Sequence, residues 1–264
     1  MHTFQTKIGE HLFVFTLHTP SSIQMFQATF PRLLPNDGGP SLPALHIDIE
    51  DGFGSPFMDY NVIKTAAPDS ILFRRSDYLL EINAEYTAAS VKVFNDLALK
   101  HAIMHLYSLF IVRIGWGLLI HSSCVVDRGN AHIFTGHSGA GKSTAAALSH
   151  PRELLSDEAT IVKVGADEIT VYDSPFRSEM QSGTEFIDSF RLASIQVLHQ
   201  APFHRRTMLT KMDAFLNLMD KVFFWSPAPE ETRTIVHLLK QTVEHVPVYK
   251  LQFQKNSGFW ELIS

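Results

Sequence analysis

The sequence predicts an α/β protein with a smaller β-rich N-terminal domain, residues 1–94, and an α/β domain, residues 95–264. Three observations predict it. Short alternating or apolar runs between turn residues, typical of strands, dominate the first part. A helical period of apolar residues begins after residue 94. A glycine-rich segment then stands between a predicted strand and a predicted helix.

The N-terminal domain is expected to form a small antiparallel sheet. Its predicted strands are residues 12–17, 45–49, 71–73, 78–82 and 90–94. Pro20 is interpreted as the end of the first strand. A loop is predicted over residues 30–43, which hold four prolines and two adjacent glycines.

The predicted helix after residue 94 begins at Asn95 or Asp96 and ends near Gly115. His101 and His105 lie one turn apart on it and could bind a metal, although a packed helix with two incidental histidines is the favoured interpretation. The next strand is predicted from residue 116 to residue 126, so that it passes through His121 and Cys124. Residues 127–130 are predicted to form a hairpin turn. This turn predicts that the strand of His121 runs antiparallel to the strand that follows.

The remaining predicted elements are both strands and helices. Strands are predicted over residues 130–135, 159–164, 169–172, 193–199 and 246–253, and helices over residues 143–148, 208–225 and 229–243. The basic cluster His204 to Thr207 is interpreted as a solvated turn, with an acidic acceptor as the alternative partner.

The glycine loop, residues 136–144, fits the phosphate-binding pattern G-x-x-x-x-G-K-[ST]. Its members are Gly136, His137, Ser138, Gly139, Ala140, Gly141, Lys142, Ser143 and Thr144. Its glycines allow a tight turn whose N–H groups point at one anion, while Lys142 brings a positive charge to the outer phosphates and the Ser143 hydroxyl can ligate Mg²⁺. A strand before the loop and a helix after it complete the arrangement of a nucleoside triphosphate site.

Charge and composition limit the classes of binding partner that the sequence predicts. The net charge of −5 gives no basic excess for a nucleic acid or an anionic membrane, and no run is long and apolar enough to cross a membrane. The N-terminus lacks a signal pattern, so a cytoplasmic protein is expected. Cys124 is the single cysteine and lies in an apolar run, which favours an inert core thiol.

Two acids and a later charged loop follow the glycine loop. Asp157 and Glu158 stand at a strand boundary, where one carboxylate could hold Mg²⁺ and another could accept the proton of an attacking hydroxyl. A solvated turn is an equal alternative on position alone. Arg177 and Glu179 are two residues apart, and Arg177 could stabilise charge on a transferring phosphoryl group or be a solvated loop charge.

The order of these motifs resembles the HPr kinase/phosphorylase family, especially its small HPr-kinase-like peptide serine kinases, as in lasso peptide tailoring. The matching text is LLIHSSCVVDRGNAHIFTGHSGAGKST, then LLSDEATIV, then SPFRSEM, within about residues 115–180. The resemblance implies a mixed-sheet P-loop core similar to the nucleotide domain of phosphoenolpyruvate carboxykinase. It also implies transfer of the γ-phosphoryl group of ATP, with Mg²⁺, to a serine of a peptide or small protein.

By this resemblance His121 is the active-site histidine, Asp157 the general base and Glu158 the second, metal-associated acid. Ser143, Glu158 and Glu179 are the candidate Mg²⁺ ligands, and Asp157, His121, Lys142 and Arg177 the candidate catalytic residues. The family has Asp where this chain has Glu158, and the glycine-rich signature of true HPr kinases is absent from this sequence. A small-molecule kinase and a non-catalytic nucleotide-binding module are the alternatives. Some members are hexamers, so a homo-oligomer stays open.

Overall fold

The computed structural model describes residues 1–31, 42–178, 189–225 and 227–264, with the side chains of 42–44 left out. These residues form a mixed α/β protein with two compact units, Met1–Phe110 and Ile111–Ser264. The division falls inside a helix, beyond residue 94, where the sequence places the end of the N-terminal domain. The division into a β-rich domain and a kinase domain stays a prediction.

The first unit is built on a seven-stranded sheet of order β1-β2-β3-β7-β6-β5-β4. Its elements are β1 His2–Ile8, β2 His11–Leu17, α1 Pro20–Thr29, β3 Leu42–Asp51, β4 Ile63–Ala66, β5 Ser70–Arg74, β6 Tyr78–Asn83, β7 Ala88–Val93 and α2 Asp96–Arg113, which continues into the second unit. The predicted antiparallel sheet is wrong in one respect, because β3 runs parallel to both β2 and β7.

Helix α1, missed by the sequence interpretation, explains part of this difference. A parallel neighbour requires a crossover connection, and α1 lies in the segment between β2 and β3. Pro20 begins this helix, where a missing N–H is tolerated, and the Thr19 side chain accepts a hydrogen bond from the Ser22 N–H at 3.0 Å. The proline therefore marks a helix start as well as a strand end.

The second unit holds the glycine loop. Its elements are β8 Gly117–Asp127, β9 Asn130–Thr135, α3 Lys142–Leu148, β10 Glu153–Ser156, β11 Ala159–Val164, β12 Ile169–Tyr172, β13 Ser189–Gln200, β14 Arg205–Met208, α4 Lys211–Met219, α5 Pro229–His245, β15 Val248–Phe253 and a 3₁₀ helix Ser257–Leu262. The sheet is mixed, since β13 is parallel to β9 and β15 while β8 is antiparallel to β9, β10 and β11.

Most predicted elements of this unit are confirmed, including the hairpin between β8 and β9. The predicted helix over residues 208–225 is wrong at both ends. Residues 205–208 form an edge strand, so the basic cluster is not a turn, and α4 ends at Met219. The 3₁₀ helix docks on the core, with the Phe259 and Trp260 side chains buried. Within the described ranges, no helix has both the length and the apolar character needed to span a membrane.

Candidate functional site

The centre of the site is a change of neighbours along β8. Up to His121, one side of β8 pairs with β11, and from Cys124 onward the same side pairs with β10. On the other side, Ser122 to Asp127 pair with β9, whereas Ile120 makes a bridge with Val222. Both neighbours of β8 therefore change close to His121 and Ser122, and chain segments meet there from two directions.

The acidic turn arrives from one side. Asp157 and Glu158 are the two residues between β10 and β11, and the Ser122 N–H donates to the Glu158 carbonyl at 3.1 Å. The glycine loop arrives from the other side, because Thr135, the last residue of β9, pairs with Ser122. The Thr135 hydroxyl also donates to the His121 carbonyl at 2.9 Å. The structure thus brings His121, the acidic turn and the start of the glycine loop to one level of β8.

The glycine loop turns tightly between β9 and α3. The Lys142 Nζ donates to the carbonyls of Gly136 and His137, each at 3.3 Å, so this side chain folds back over the loop. The Ser123 hydroxyl of β8 donates to the Lys142 carbonyl at 3.1 Å. Lys142 is buried, and burial followed by the charge of Lys221 lowers its pKa. An anion bound at this loop would offset both effects.

Two glycines of the loop have no room for a side chain. A Cβ at Gly136 would lie 2.8 Å from the Ala140 Cβ, and one at Gly141 would lie 2.8 Å from the Phe253 Cζ. Gly141 also has a φ of +104°, which L side chains rarely adopt. It is the residue before the first turn of α3, so the glycine pattern follows from close packing as well as from backbone conformation.

The other loop residues differ in exposure. The Gly139 carbonyl accepts a hydrogen bond from the Gln200 Nε2 at 2.7 Å, which ties the loop to the end of β13. Ala140 is buried, whereas the outer face of the loop and of α3 carries His137, Ser138 and Ser143, with Thr144 half-buried. The Ser143 hydroxyl is therefore accessible to a ligand.

His121 is a neutral imidazole at physiological pH. Its burial, with the charges of Lys142 and Lys221, lowers its pKa to about 4. The ring lies 5.2 Å from the Phe223 ring, centroid to centroid. A neutral imidazole can orient a neighbouring group by a hydrogen bond, but it brings no positive charge to a phosphate.

Asp157 is a buried carboxylate, 3% exposed. Ser178 donates to both of its oxygens, from the N–H to Oδ1 at 2.9 Å and from the hydroxyl to Oδ2 at 2.5 Å. Glu158 beside it is half-buried. Asp157 is thus held in one orientation with an oxygen that already accepts a serine hydroxyl.

Arg177 holds its own loop in the structure. Its Nη2 donates to the carbonyls of Leu154 and Leu155 at 2.9 and 3.0 Å, its Nε donates to the Ser174 carbonyl at 3.1 Å, and it pairs with Asp173. The Arg177 side chain is 8% exposed. These contacts anchor the segment before Ser178 to β10. The sequence could not predict this positioning role, because the contacts join segments distant in the chain.

The structure describes only two of the three candidate Mg²⁺ ligands, Ser143 and Glu158. Glu179 lies outside the described residues. Among residues 1–31, 42–178, 189–225 and 227–264, no cluster of three or more His, Cys, Asp or Glu could hold a metal. The donors that remain, the Ser143 hydroxyl and the carboxylates of the acidic turn, are oxygen ligands of the kind Mg²⁺ prefers when phosphates complete its shell.

Lys221 is the residue that the sequence interpretation missed. The sequence interpretation placed Lys221 within a helix over residues 208–225. In the structure α4 ends at Met219, and the residues after it form hydrogen bonds with β8. The His121 N–H donates to the Lys221 carbonyl at 2.7 Å. The run Val222-Phe223-Phe224-Trp225, rich in strand-forming residues, is the signal that could have revealed it.

Three further candidates from the sequence have buried side chains. Cys124 is fully buried, which confirms a core cysteine, and burial raises the pKa of its thiol. His101 and His105 belong to the first unit, where they bond to side chains: the His101 Nδ1 lies 2.8 Å from the Arg75 Nη2, and the His105 Nδ1 lies 3.0 Å from the Tyr78 hydroxyl.

Comparison with solved structures gives a distant likeness. The structure of the HPr(Ser) kinase/phosphatase from Coxiella burnetii is 12% identical, with 55% of this chain and 90% of that chain covered and a TM-score of 0.30. No family model matches the chain. No curated protein matches it.

Proposed function

We propose that this protein is an ATP- and magnesium-dependent kinase that transfers the γ-phosphoryl group to a serine hydroxyl of a peptide or small protein. The observation that carries the proposal is the meeting of the glycine loop and the acidic turn at His121 and Ser122 of β8. A phosphate donor site beside a buried carboxylate is the minimum that phosphoryl transfer to a hydroxyl requires.

The donor half is the glycine loop. Its backbone N–H groups and the start of α3 hold the phosphates of ATP, and the Lys142 Nζ exchanges its bonds to the Gly136 and His137 carbonyls for phosphate oxygens. Ser143 and Glu158 would hold Mg²⁺, with Glu179 as a further candidate. Bound there, the ion would neutralise charge on the β- and γ-phosphates.

The acceptor half is centred on Asp157. The serine hydroxyl oxygen attacks the γ-phosphorus, its proton passes to a carboxylate oxygen of Asp157, and ADP leaves. The bond from the Ser178 hydroxyl to Asp157 supports this role, because it demonstrates that a serine hydroxyl fits against Oδ2. His121, neutral at pH 7, orients the groups around it.

The test uses the full chain with Mg²⁺ and γ-labelled ATP, against a panel of serine-containing peptides, small proteins and free serine. We expect label on a peptide or protein serine with the wild type, and a loss of at least about 100-fold in rate with Asp157→Asn. ATP binding by that variant should stay within about twofold of wild type, because Asp157 contacts the acceptor.

Asp167→Asn is the matched control, since Asp167 is exposed in the turn between β11 and β12. It should transfer label at the wild-type rate. Transfer by Asp157→Asn at that rate would overturn the base assignment. Label on free serine or another small molecule alone would overturn the peptide acceptor. Stoichiometric ATP binding without any labelled acceptor would indicate a non-catalytic module.

A further inference from the structure

Lys221 continues the line of β9 along β8. The Phe223 N–H donates to the Leu119 carbonyl at 2.8 Å, and the Lys221 carbonyl accepts from the His121 N–H at 2.7 Å. Because β10 and β11 occupy one side of β8, this segment lies on the side of β9. It takes the place beside His121 that β9 leaves when the chain turns into the glycine loop.

The Lys221 side chain is only 12% exposed, although its partner is an exposed group. Its Nζ bonds to the Asp220 Oδ2 at 2.5 Å, and the Asp220 side chain is 70% exposed. An ion pair with one partner in solvent contributes little stability. The Lys221 Nζ can therefore easily leave Asp220 for an anion that binds it more strongly.

Basic groups converge here. The Lys221 carbonyl accepts from the His121 N–H, and the His121 carbonyl accepts from the hydroxyl of Thr135, the residue before the glycine loop that carries Lys142. Two lysines that repel each other near a phosphate-binding pattern are unfavourable without an anion, and an anion between them reverses the sign of that interaction. This arrangement is typical of a site that holds several phosphate oxygens.

We propose that Lys221 is a second phosphate-binding lysine, which contacts the outer phosphates of the nucleotide from the side of β8 opposite the acidic turn. The inference rests on the proposed nucleotide site and deepens it. Lys142 reaches the phosphates from within the loop, whereas Lys221 is held by backbone hydrogen bonds to β8. Asp220 keeps the Lys221 Nζ in place when no nucleotide is bound.

The test is calorimetric binding of ATP, ADP and AMP to the full chain. We expect Lys221→Gln to weaken ATP binding about 10-fold to 100-fold, as the loss of a charge-assisted hydrogen bond to phosphate predicts, and to leave AMP binding unchanged. Lys221→Arg should restore most of the affinity for ATP. Lys255→Gln, which removes an exposed lysine, is the matched control and should bind like wild type.

Asp220→Asn separates phosphate binding from a structural role of the pair. If Lys221 binds phosphate, release of its Nζ from Asp220 should tighten ATP binding, so the two variants act in opposite directions. A merely structural pair would make both variants weaken ATP binding together with a lowered melting temperature, and that result would overturn the inference.

ATP affinity that falls with Lys142→Gln but not with Lys221→Gln would overturn this inference and leave the nucleotide site standing. No binding of ATP by the wild type would overturn both.

Discussion

Ser178 donates two hydrogen bonds to Asp157, one from its N–H at 2.9 Å and one from its hydroxyl at 2.5 Å. Ser178 is the last described residue of the loop that begins at Asp173, and it contacts the proposed base. An acceptor hydroxyl that approaches Asp157 must replace the Ser178 hydroxyl or share the carboxylate with it. The Ser178 hydroxyl therefore occupies one oxygen of the carboxylate that we propose as the acceptor of the proton.

Ser178→Ala should ease this competition. The variant keeps the backbone hydrogen bond to Oδ1 and removes the hydroxyl that competes for Oδ2, so we expect the KM for the acceptor to fall about 10-fold, the size of one hydrogen bond to a charged group. Steady-state phosphotransfer kinetics check this, with Ser55→Ala, an exposed serine, as the control. An unchanged KM would indicate that the Ser178 hydroxyl does not compete with the acceptor for Asp157.

Gly141→Ala should abolish nucleotide binding and destabilise the protein by about 1–3 kcal/mol, because it combines a positive φ with a Cβ 2.8 Å from the Phe253 ring. Gly129→Ala is the matched control, since its φ is also positive but its Cβ would meet nothing within 4 Å. It should lose about 1 kcal/mol and bind ATP normally. Urea unfolding and calorimetry measure the two effects, and equal losses in both variants would contradict the packing argument.

Arg177→Met should destabilise the protein by about 2–4 kcal/mol, because it leaves the carbonyls of Leu154 and Leu155 without their donor and Asp173 without its cation. Arg177→Lys should restore little, since one ammonium group cannot reproduce the planar fork. Urea unfolding with Arg191→Met, an exposed arginine, as control measures this. Lost transfer activity at unchanged stability would favour the catalytic role that the sequence suggested.

The buried histidines of the first unit should make stability depend on pH. Burial, with the charges of Arg75 and Lys64, lowers the pKa of His105 to about 3. The unfolded chain, with a histidine pKa near 6.5, then binds a proton that the folded chain does not, so stability falls as pH drops from about 6.5 towards 3. Above pH 7 both states are neutral and the effect is absent.

The slope attributable to His105 is about 1.4 kcal/mol per pH unit within that window. Chemical unfolding of wild type and His105→Gln at several pH values should give a smaller slope for the variant. His101, whose pKa burial and Arg75 lower to about 4, keeps part of the slope. His237→Gln, at an exposed position of α5, should retain the wild-type slope.

Local features of the second unit could be predicted from the sequence because their causes are local. The hairpin between β8 and β9 is specified by turn residues, and the acidic turn by its place between two apolar runs. The parallel pairing of β3 could not be predicted in this way. It depends on which strands meet across the unit, and periodicity within one strand is the same for either direction.

The sequence by itself determined the glycine loop, because a strand, a run of small residues and a following helix are properties of neighbouring residues. Only the tertiary structure decided what stands beside it. Ser178 on Asp157, Arg177 on the β10 carbonyls and Lys221 beside His121 all depend on contacts between segments distant in the chain. Such contacts follow from strand pairing and burial, which no local pattern of residues specifies.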